Sequence, residues 1–370
     1  MAKRVNLMST LIILFFSFLG SSISLGNEVS LTLIYTSNTL GEVEPCGTCP
    51  EGGDAGGMAR RFSYIKKVRE EVKNLLVLDG GDALVIGPAR DEREKEKGRK
   101  RAEFVLKIYE KLGYHALNIG DTDLVLGVEY LRNLQNNSKI PFISGNLKEK
   151  KTGKPIFKPY FIKEMNGLKI GIIGLLTPEI PPYIHKELKG YFIEDPIKAA
   201  MNIINKSMAH CDYILGLAHL NAPEIEILAK RIPKNLIIIG GNERSFVFPK
   251  HINHSIYVQT DAFGLRVGKL NLGLVKRASE FVDILPRSLL QKNIEEIQRK
   301  MEDPHYAKEI EKLKEVKKQL YEQLKKMPNT EGKNTFENHL LLMHPGMESD
   351  KEIEKLIDSS RGQLKRPIPY

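Results

Sequence analysis

The sequence predicts an α/β protein, because short apolar runs alternate along the chain with longer amphipathic segments. Its 370 residues are 41% hydrophobic and 28% charged, which is the composition of a globular protein that buries a core. Polar residues or glycine follow the apolar runs, as expected where α/β folds place their sites. A disordered chain, a fibrous repeat and a protein with many membrane spans are therefore excluded.

The predicted strands are, in chain order, 31–35, 75–79, 115–119, 142–144, 160–162, 168–173, 213–217, 236–239 and 255–258. Segments 59–72 and 102–112 predict amphipathic helices, whereas the mixed charges of 90–101 indicate a solvated loop. Asn166 and Gly167 separate two strands and predict a hairpin turn.

Beyond residue 275 the sequence predicts a helical C-terminal extension, 276–370. Apolar residues recur at three- and four-residue spacing from Ile310 to Met327, which indicates a long amphipathic helix. Asp303 and Pro304 separate it from an earlier helix around Ile294. Two interpretations stay open, since this helix can pack on its own domain or offer a surface to a protein partner.

The first 26 residues predict a secretory signal peptide. Lys3 and Arg4 supply a basic start, 11–16 begins an apolar region, and Ser24 and Gly26 are small residues suited to cleavage. An uncleaved membrane anchor is the alternative, but the apolar run is short for a span of about 20 residues. We expect an exported protein, periplasmic or extracellular, with no transmembrane span in the mature chain.

The overall charge argues against nucleic acid as a partner. The net charge of +10 comes from 56 basic and 46 acidic residues, which are interspersed along the chain. Because both signs are mixed, we expect no nucleic-acid binding surface.

Five polar blocks follow predicted strands and carry the functional signal. They are, in chain order, 35–41, 78–82, 118–123, 216–219 and 239–245. In order and spacing they resemble the metal-binding blocks of the calcineurin-like metallophosphoesterases, specifically the 5′-nucleotidase branch. The resemblance extends from about Leu31 to Leu274. It implies a four-layer metallophosphoesterase domain over 28–275, in which two mixed sheets stack face to face between outer helices.

The resemblance further implies two divalent metals that share one aspartate and generate a hydroxide nucleophile. Asp82 occupies the bridging position, and His219 occupies the position of a lone histidine ligand. Asp121 and Asn242 take the other positions around the second metal. These four side chains offer oxygen or nitrogen, so they form a candidate site for one divalent cation, Zn²⁺, Mn²⁺ or Mg²⁺. The alternative is that they only hydrogen-bond to one another.

The other positions of the resemblance have changed. Asn38, Leu40 and Arg244 stand at first-metal positions, where an aliphatic side chain and a permanent cation exclude a metal site. Thr122 stands at the position of the catalytic histidine and neither titrates near neutrality nor carries charge. We therefore assign no catalytic residue. We expect Arg244 to reach into the cleft and pair with Asp82 or Asp121 in place of the lost metal.

A Cys-x-x-Cys pair lies beside the first block. Pro50 follows Cys49, which excludes c-type haem attachment, and the absence of a second pair excludes a zinc knuckle. In an oxidising compartment we expect a Cys46–Cys49 disulfide, with a redox-active dithiol as the alternative. Cys211 precedes an apolar strand, so we expect an inert core thiol there.

Together these observations predict an exported 5′-nucleotidase-type homologue with a degenerate active site. Such a pseudoenzyme would act through binding or assembly, with a phosphate-containing small molecule as ligand or a protein partner on the helical extension. We expect neither haem nor a nucleotide cofactor. The alternative is a one-metal phosphohydrolase that acts weakly on phosphate esters or nucleotides.

Overall fold

The computed structural model describes residues 28–46, 53–232, 234–362 and 364. The predicted signal peptide and Cys49 lie outside these residues. Within the described part of the chain, no helix combines the length and apolar composition that a membrane crossing requires.

Most predicted strands are present, together with several shorter ones. The strands are, in chain order, β1 (Val29–Thr36), β2 (Pro45–Cys46), β3 (Ala55–Gly56), β4 (Leu75–Asp79), β5 (Ala116–Asn118), β6 (Phe142–Ile143), β7 (Leu147–Glu149), β8 (Tyr160–Met165), β9 (Leu168–Leu176), β10 (Tyr191–Ile193), β11 (Tyr213–His219), β12 (Leu236–Gly240), β13 (Val247–Ile252), β14 (Ser255–Gln259), β15 (Arg266–Leu274), β16 (Phe281–Asp283) and β17 (Asn334–Leu342). The predicted hairpin joins β8 to β9, and its turn residues Asn166 and Gly167 both have positive φ.

The α-helices are α1 (Met58–Glu71), α2 (Glu92–Leu112), α3 (Val128–Asn136), α4 (Pro196–Ser207), α5 (Ala222–Arg231), α6 (Leu285–Glu302), α7 (Ile310–Lys325) and α8 (Lys351–Ser360). Short 3₁₀ turns cover Thr122–Leu126, Pro182–Leu188 and Pro304–Glu309. The prediction of a loop over 90–101 was wrong. Asp91 caps α2 by accepting the backbone N–H of Glu94, so the helix begins in this charged stretch.

Two mixed sheets form the centre of the fold. The first has the strand order β16-β17-β15-β1-β4-β5-β6, and β1, β4, β5 and β6 run parallel. The second has the order β13-β14-β12-β11-β9-β8, and its four inner strands run parallel. The parallel strands of each sheet therefore end at one edge, where α/β folds place their sites.

Alternation along the strands divides the core into three layers. Leu33 packs between the sheets, whereas its neighbour Ile34 packs under the helices outside the first sheet. Ile172 and Ile173 divide in the same way between the inter-sheet layer and the layer beneath α4 and α5. The predicted four-layer architecture, two mixed sheets between outer helices, is confirmed.

The C-terminal region contains the predicted helices and two strands that the sequence analysis missed. β17 pairs antiparallel with β15 along eight residues, and β16 pairs parallel with β17. Helix α8 buries Ile353 and Ile357 in the layer that also holds α1. By contrast, α6 and α7 each bury only one side chain, Ile294 and Leu313, and pack chiefly on each other. The region thus completes the first sheet and adds a helical hairpin beside it.

Candidate metal centre

The two sheets meet closely at the ends of β4 and β12, and glycines make this contact. A Cβ on Gly80 would lie 2.7 Å from the carbonyl oxygen of Gly240, and one on Gly241 would lie 2.2 Å from that of Gly80. Side chains at these positions would separate the strand ends. The glycines therefore bring the polar blocks of both sheets together.

Asp82, Asp121 and His219 converge at this edge. Nε2 of His219, the last residue of β11, lies 2.9 Å from Oδ1 of Asp121 and 3.7 Å from Oδ2 of Asp82. One ligand atom from each residue lies within 4.8 Å of the other two. His219 is fully buried and both carboxylates are nearly so. The three residues that the sequence places in separate blocks thus form one group.

One backbone hydrogen bond holds the Asp82 carboxylate, and three others hold the loops around it. Asp82 has a φ of 57°, and its Oδ1 accepts the N–H of Thr122 at 2.9 Å. Asp123 fixes the backbone around Asp82, since its carboxylate accepts the N–H groups of Asp82, Gly120 and Leu84 at 3.0–3.1 Å. Sequence analysis did not identify Asp123. The sequence feature that could have identified it is a second aspartate two residues after Asp121.

Glycines leave room for this arrangement as well. A Cβ on Gly120 would lie 2.1 Å from Oδ1 of Asp82, and one on Gly81 would lie 2.9 Å from Nδ1 of His219. Asn118 was also missed; its Nδ2 donates to the carbonyls of Gly80 and Leu175 and so links β4 to β9. The loops are thus held by backbone contacts that larger side chains would disturb.

Burial and mutual charge set the protonation of the group. Burial alone would lower the pKa of His219, but the Asp82 charge and the hydrogen bond to Asp121 raise this pKa to about 9. Burial would raise the pKa of Asp121, yet the hydrogen bond from His219 and its charge bring that pKa below the ordinary value. Burial raises the pKa of Asp82 well above the ordinary value, against the His219 charge. Without a metal, an imidazolium paired with Asp121 therefore supplies the positive charge.

The donor set fits a divalent cation. Two carboxylate oxygens and one imidazole nitrogen suit Zn²⁺ or Mn²⁺, whereas Mg²⁺ prefers oxygen alone. Nδ1 of His219 has no hydrogen-bond partner among the described residues and faces Gly81 and Gly241, so Nε2 is the nitrogen that faces the carboxylates. Asn242 directly follows Gly241 and is half-buried. Its role as a fourth ligand stays a prediction.

The first-metal positions have other uses in this structure. Nδ2 of Asn38 donates to the carbonyl of Glu243 at 2.6 Å, and Leu40 is a buried aliphatic residue with a φ of 55°. The Thr122 hydroxyl donates to the carbonyl of Val85 at 3.3 Å. These side chains hold loops together and, among the described residues, leave no second donor set comparable to the first.

The expected pairing of Arg244 was wrong. Arg244 is exposed and forms no ion pair with any described residue. It lies in the turn after β12, where Ala262 donates its N–H to the Arg244 carbonyl, so the loop is fixed through its backbone. His219, rather than the Arg244 guanidinium, is the residue that pairs with Asp121.

Of the three cysteines, Cys46 and Cys211 are among the described residues and Cys49 is not. Cys46 lies in β2, which pairs with β3 at the end of the first block. Because Cys49 lies outside the described residues, the disulfide and the redox alternative stay predictions. Cys211 is buried, and burial raises the pKa of its thiol, as expected for an inert core residue.

Comparison with known proteins identifies the relatives of this chain. Over 145 residues it is 34% identical to a 2′,3′-cyclic-nucleotide 2′-phosphodiesterase/3′-nucleotidase from Salmonella typhimurium, covering 36% of this chain and 22% of that protein. Over 207 residues it is 28% identical to a 5′-nucleotidase from Vibrio cholerae, covering 51% and 36% respectively. The chain thus matches about a fifth to a third of the length of these two relatives. No family model matches it.

The fold has a close counterpart among solved structures. The calcineurin-like phosphoesterase YfkN from Bacillus subtilis superposes with a TM-score of 0.63 at 18% identity, over 91% of this chain and 98% of that chain. The curated homologues are 5′-nucleotidases and cyclic-nucleotide phosphodiesterase/3′-nucleotidases, and the fold is that of calcineurin-like phosphoesterases. The resemblance predicted from the polar blocks is confirmed.

Proposed function

Because the chain is a homologue of the 5′-nucleotidases with a calcineurin-like fold, we propose that it binds phosphate esters through a single divalent cation. Asp82, Asp121 and His219 would hold this cation, with Asn242 as the fourth ligand. The active site is degenerate, so the protein acts through binding and hydrolyses esters weakly or not at all. Phosphate esters of nucleosides are the ligand class that the relatives' names suggest.

One contrast carries the proposal. Ligand atoms of Asp82, Asp121 and His219 lie within 4.8 Å of one another. At the first-metal positions, by contrast, Asn38 donates to a backbone carbonyl, Leu40 is aliphatic, and Arg244 is exposed. Two-metal catalysis relies on a pair of ions that stabilise the attacking and leaving oxygens together. A chain with one donor set retains the ability to bind an ester oxygen without that symmetric clamp.

The protein's own groups have limited catalytic means. A bound cation would supply positive charge to an ester oxygen. His219 must release its proton to ligate, so it is unavailable as a general acid once the cation binds. The Thr122 hydroxyl donates to a backbone carbonyl and does not titrate near neutrality. Arg244, exposed on the neighbouring loop, offers a fixed charge to a phosphate group.

A weak one-metal phosphohydrolase is the second candidate. It is favoured by the retained geometry of Asp82, Asp121 and His219, since one cation can both orient an ester and activate water. The two functions differ in turnover, because they share the same binding step. We further propose export, based on the signal-peptide pattern of residues 1–26.

The binding proposal is tested by titrating chelator-treated protein with Mn²⁺ in a calorimeter. We expect one site in the wild type and at least about tenfold weaker binding in Asp121→Asn, because one charged ligand is lost. Asp195→Asn is the matched control, since Asp195 is an exposed helix cap and asparagine caps equally well. Two Mn²⁺ sites, or unchanged binding in Asp121→Asn, would contradict the proposal.

Turnover separates the two candidates. Mn²⁺-loaded protein is assayed with AMP, 2′,3′-cyclic AMP and an aryl phosphodiester, with Asp121→Asn as the background. A binding protein gives rates equal to this background. A rate that depends on Asp121 but stays far below the usual range of about 1–10³ s⁻¹ supports the weak hydrolase. A rate within that range shows that the active site is not degenerate.

A further inference from the structure

An exposed pair of aromatic rings lies at the same edge of the second sheet as the cation-binding residues. Phe246 and Phe248 have ring centroids 5.3 Å apart at an angle of 86°. Phe248 is 71% exposed, which is the highest value among the large hydrophobic side chains of the described residues. Neither ring is covered by another part of the described chain to the extent usual for phenylalanine.

The loop that carries these rings is continuous with the cation site. Gly241 packs against His219, and residues 242–245 lead from it to Phe246. Gln259 fixes this loop by donating from Nε2 to the carbonyls of Glu243 and Ser245 at 2.9 and 2.6 Å. Phe246 is five residues from Gly241, a separation of at most about 17 Å when extended. The Phe248 ring lies 5.3 Å from the Phe246 ring, so both rings lie near the cleft.

Local structure directs Phe248 outward. Phe248 follows the first residue of β13, an edge strand whose register with β14 shifts by one residue between Val247 and Lys250. Such a bulge changes the direction of a side chain and occurs often beside active sites. Val247 packs onto the core, whereas Phe248 points away from it. Pro249 removes a backbone donor at this edge and thereby discourages further strand pairing.

Phe246 is itself held in place. The Arg266 guanidinium lies over its ring, 4.6 Å from the centroid, and Arg266 forms an ion pair with Asp261. One face of Phe246 is therefore occupied by a cation, and its neighbour Phe248 retains an open face. Arg244 is exposed, has no ion-pair partner among the described residues, and lies on the same loop, between Gly241 and Phe246 in sequence.

We propose that Phe248, supported by Phe246 and Arg266, is a stacking platform for the base of a nucleotide whose phosphate occupies the cation site. This inference rests on the proposed function and specifies its ligand as a nucleotide. Every base has a π face, so an exposed ring of this kind binds bases with little sequence preference. Arg244 supplies an exposed positive charge on the same loop, and such a charge suits a phosphate.

The test compares two ligands that differ only in the base. AMP and ribose 5-phosphate are titrated calorimetrically into Mn²⁺-saturated protein. We expect AMP to bind at least about fivefold more tightly in the wild type, which corresponds to the lower end of the stacking contribution. Phe248→Ala and Phe248→Leu should lose this preference without weakening ribose 5-phosphate, whereas Phe248→Tyr should keep it. Tyr321→Ala is the control, since Tyr321 is an exposed aromatic on α7.

The outcomes separate the two proposals. If neither ligand binds in the presence of Mn²⁺, the proposed function fails and the platform with it. If both bind with equal affinity, only the platform is overturned. Equal weakening of both ligands in Phe248→Ala would also overturn it, because the ring would then act on the fold rather than on the base. A preference for AMP that is lost in Phe248→Leu and retained in Phe248→Tyr supports the platform.

Discussion

Asp79 should make the stability of the protein fall as the pH rises. Its carboxyl group is fully buried at the end of β4, where it accepts the Thr36 hydroxyl at 2.6 Å and the Gly81 N–H at 2.9 Å. Burial raises the pKa of Asp79 to about 7 from an ordinary value of 3.8, although these hydrogen bonds oppose the shift. Between these two values the folded state holds a proton that the unfolded state has lost.

The size of the effect follows from the shift. A pKa raised by about three units is equivalent to about 4 kcal/mol, and this stability is lost progressively between about pH 4 and pH 7. About 3 kcal/mol of it falls between pH 5 and pH 8. Asp79→Asn removes the titration. The amide keeps an acceptor for Gly81, and the Thr36 hydroxyl can turn because it also contacts the Tyr114 hydroxyl at 2.9 Å.

Urea unfolding at about pH 5 and about pH 8, with a chelator present, measures this difference. The free energy of unfolding should fall between the two pH values by about 3 kcal/mol more in the wild type than in Asp79→Asn. Asp195→Asn, altered at an exposed helix cap, should follow the wild type. Parallel behaviour of wild type and Asp79→Asn would refute the assignment of a protonated Asp79 in the fold.

Three further substitutions test the fold and the site. In Gly120→Ala the new Cβ would lie only 2.1 Å from Oδ1 of Asp82, so the carboxylate must move. This substitution should weaken Mn²⁺ binding at least about tenfold in calorimetry. Phe336→Ala empties a fully buried site in β17 and should lower the free energy of unfolding by about 3–5 kcal/mol, measured in urea; a loss below about 1 kcal/mol would mean that β17 is not part of the core. Arg244→Ala should change the free energy of unfolding by no more than about 0.5 kcal/mol, because the Arg244 side chain is exposed. A larger loss would indicate that Arg244 does pair with the carboxylates.

The sheets were predictable because each inner strand is a nearly continuous apolar run. β4, β9, β11 and β12 are buried on both faces, and such strands contrast sharply with the charged helices around them. β17 was missed because its sequence mixes Asn334, Glu337 and His339 with its apolar residues. Asn334 and Asn338 are buried there through hydrogen bonds from tyrosine hydroxyls, a partnership between distant segments that no local pattern reveals.

The candidate metal ligands were predictable for a different reason. Asp82, Asp121 and His219 each end or follow a parallel strand, and strand ends of this kind gather at one edge whatever the connecting loops do. Arg244 could not be placed in this way. Its position depends on the loop after β12, which is fixed by hydrogen bonds to backbone carbonyls of Glu243 and Ser245 rather than by side-chain charge.

The charge that the cleft requires also comes from a different residue than the sequence suggested. A guanidinium keeps its proton at every accessible pH, so pairing by Arg244 would have blocked the site permanently. His219 donates to Asp121 only while its Nε2 is protonated, and that same atom would be the one to hold the proposed cation once the proton has left. The imidazolium therefore neutralises the carboxylates without closing the site, and under the proposed function a divalent cation would compete with this proton for one place between the same three residues.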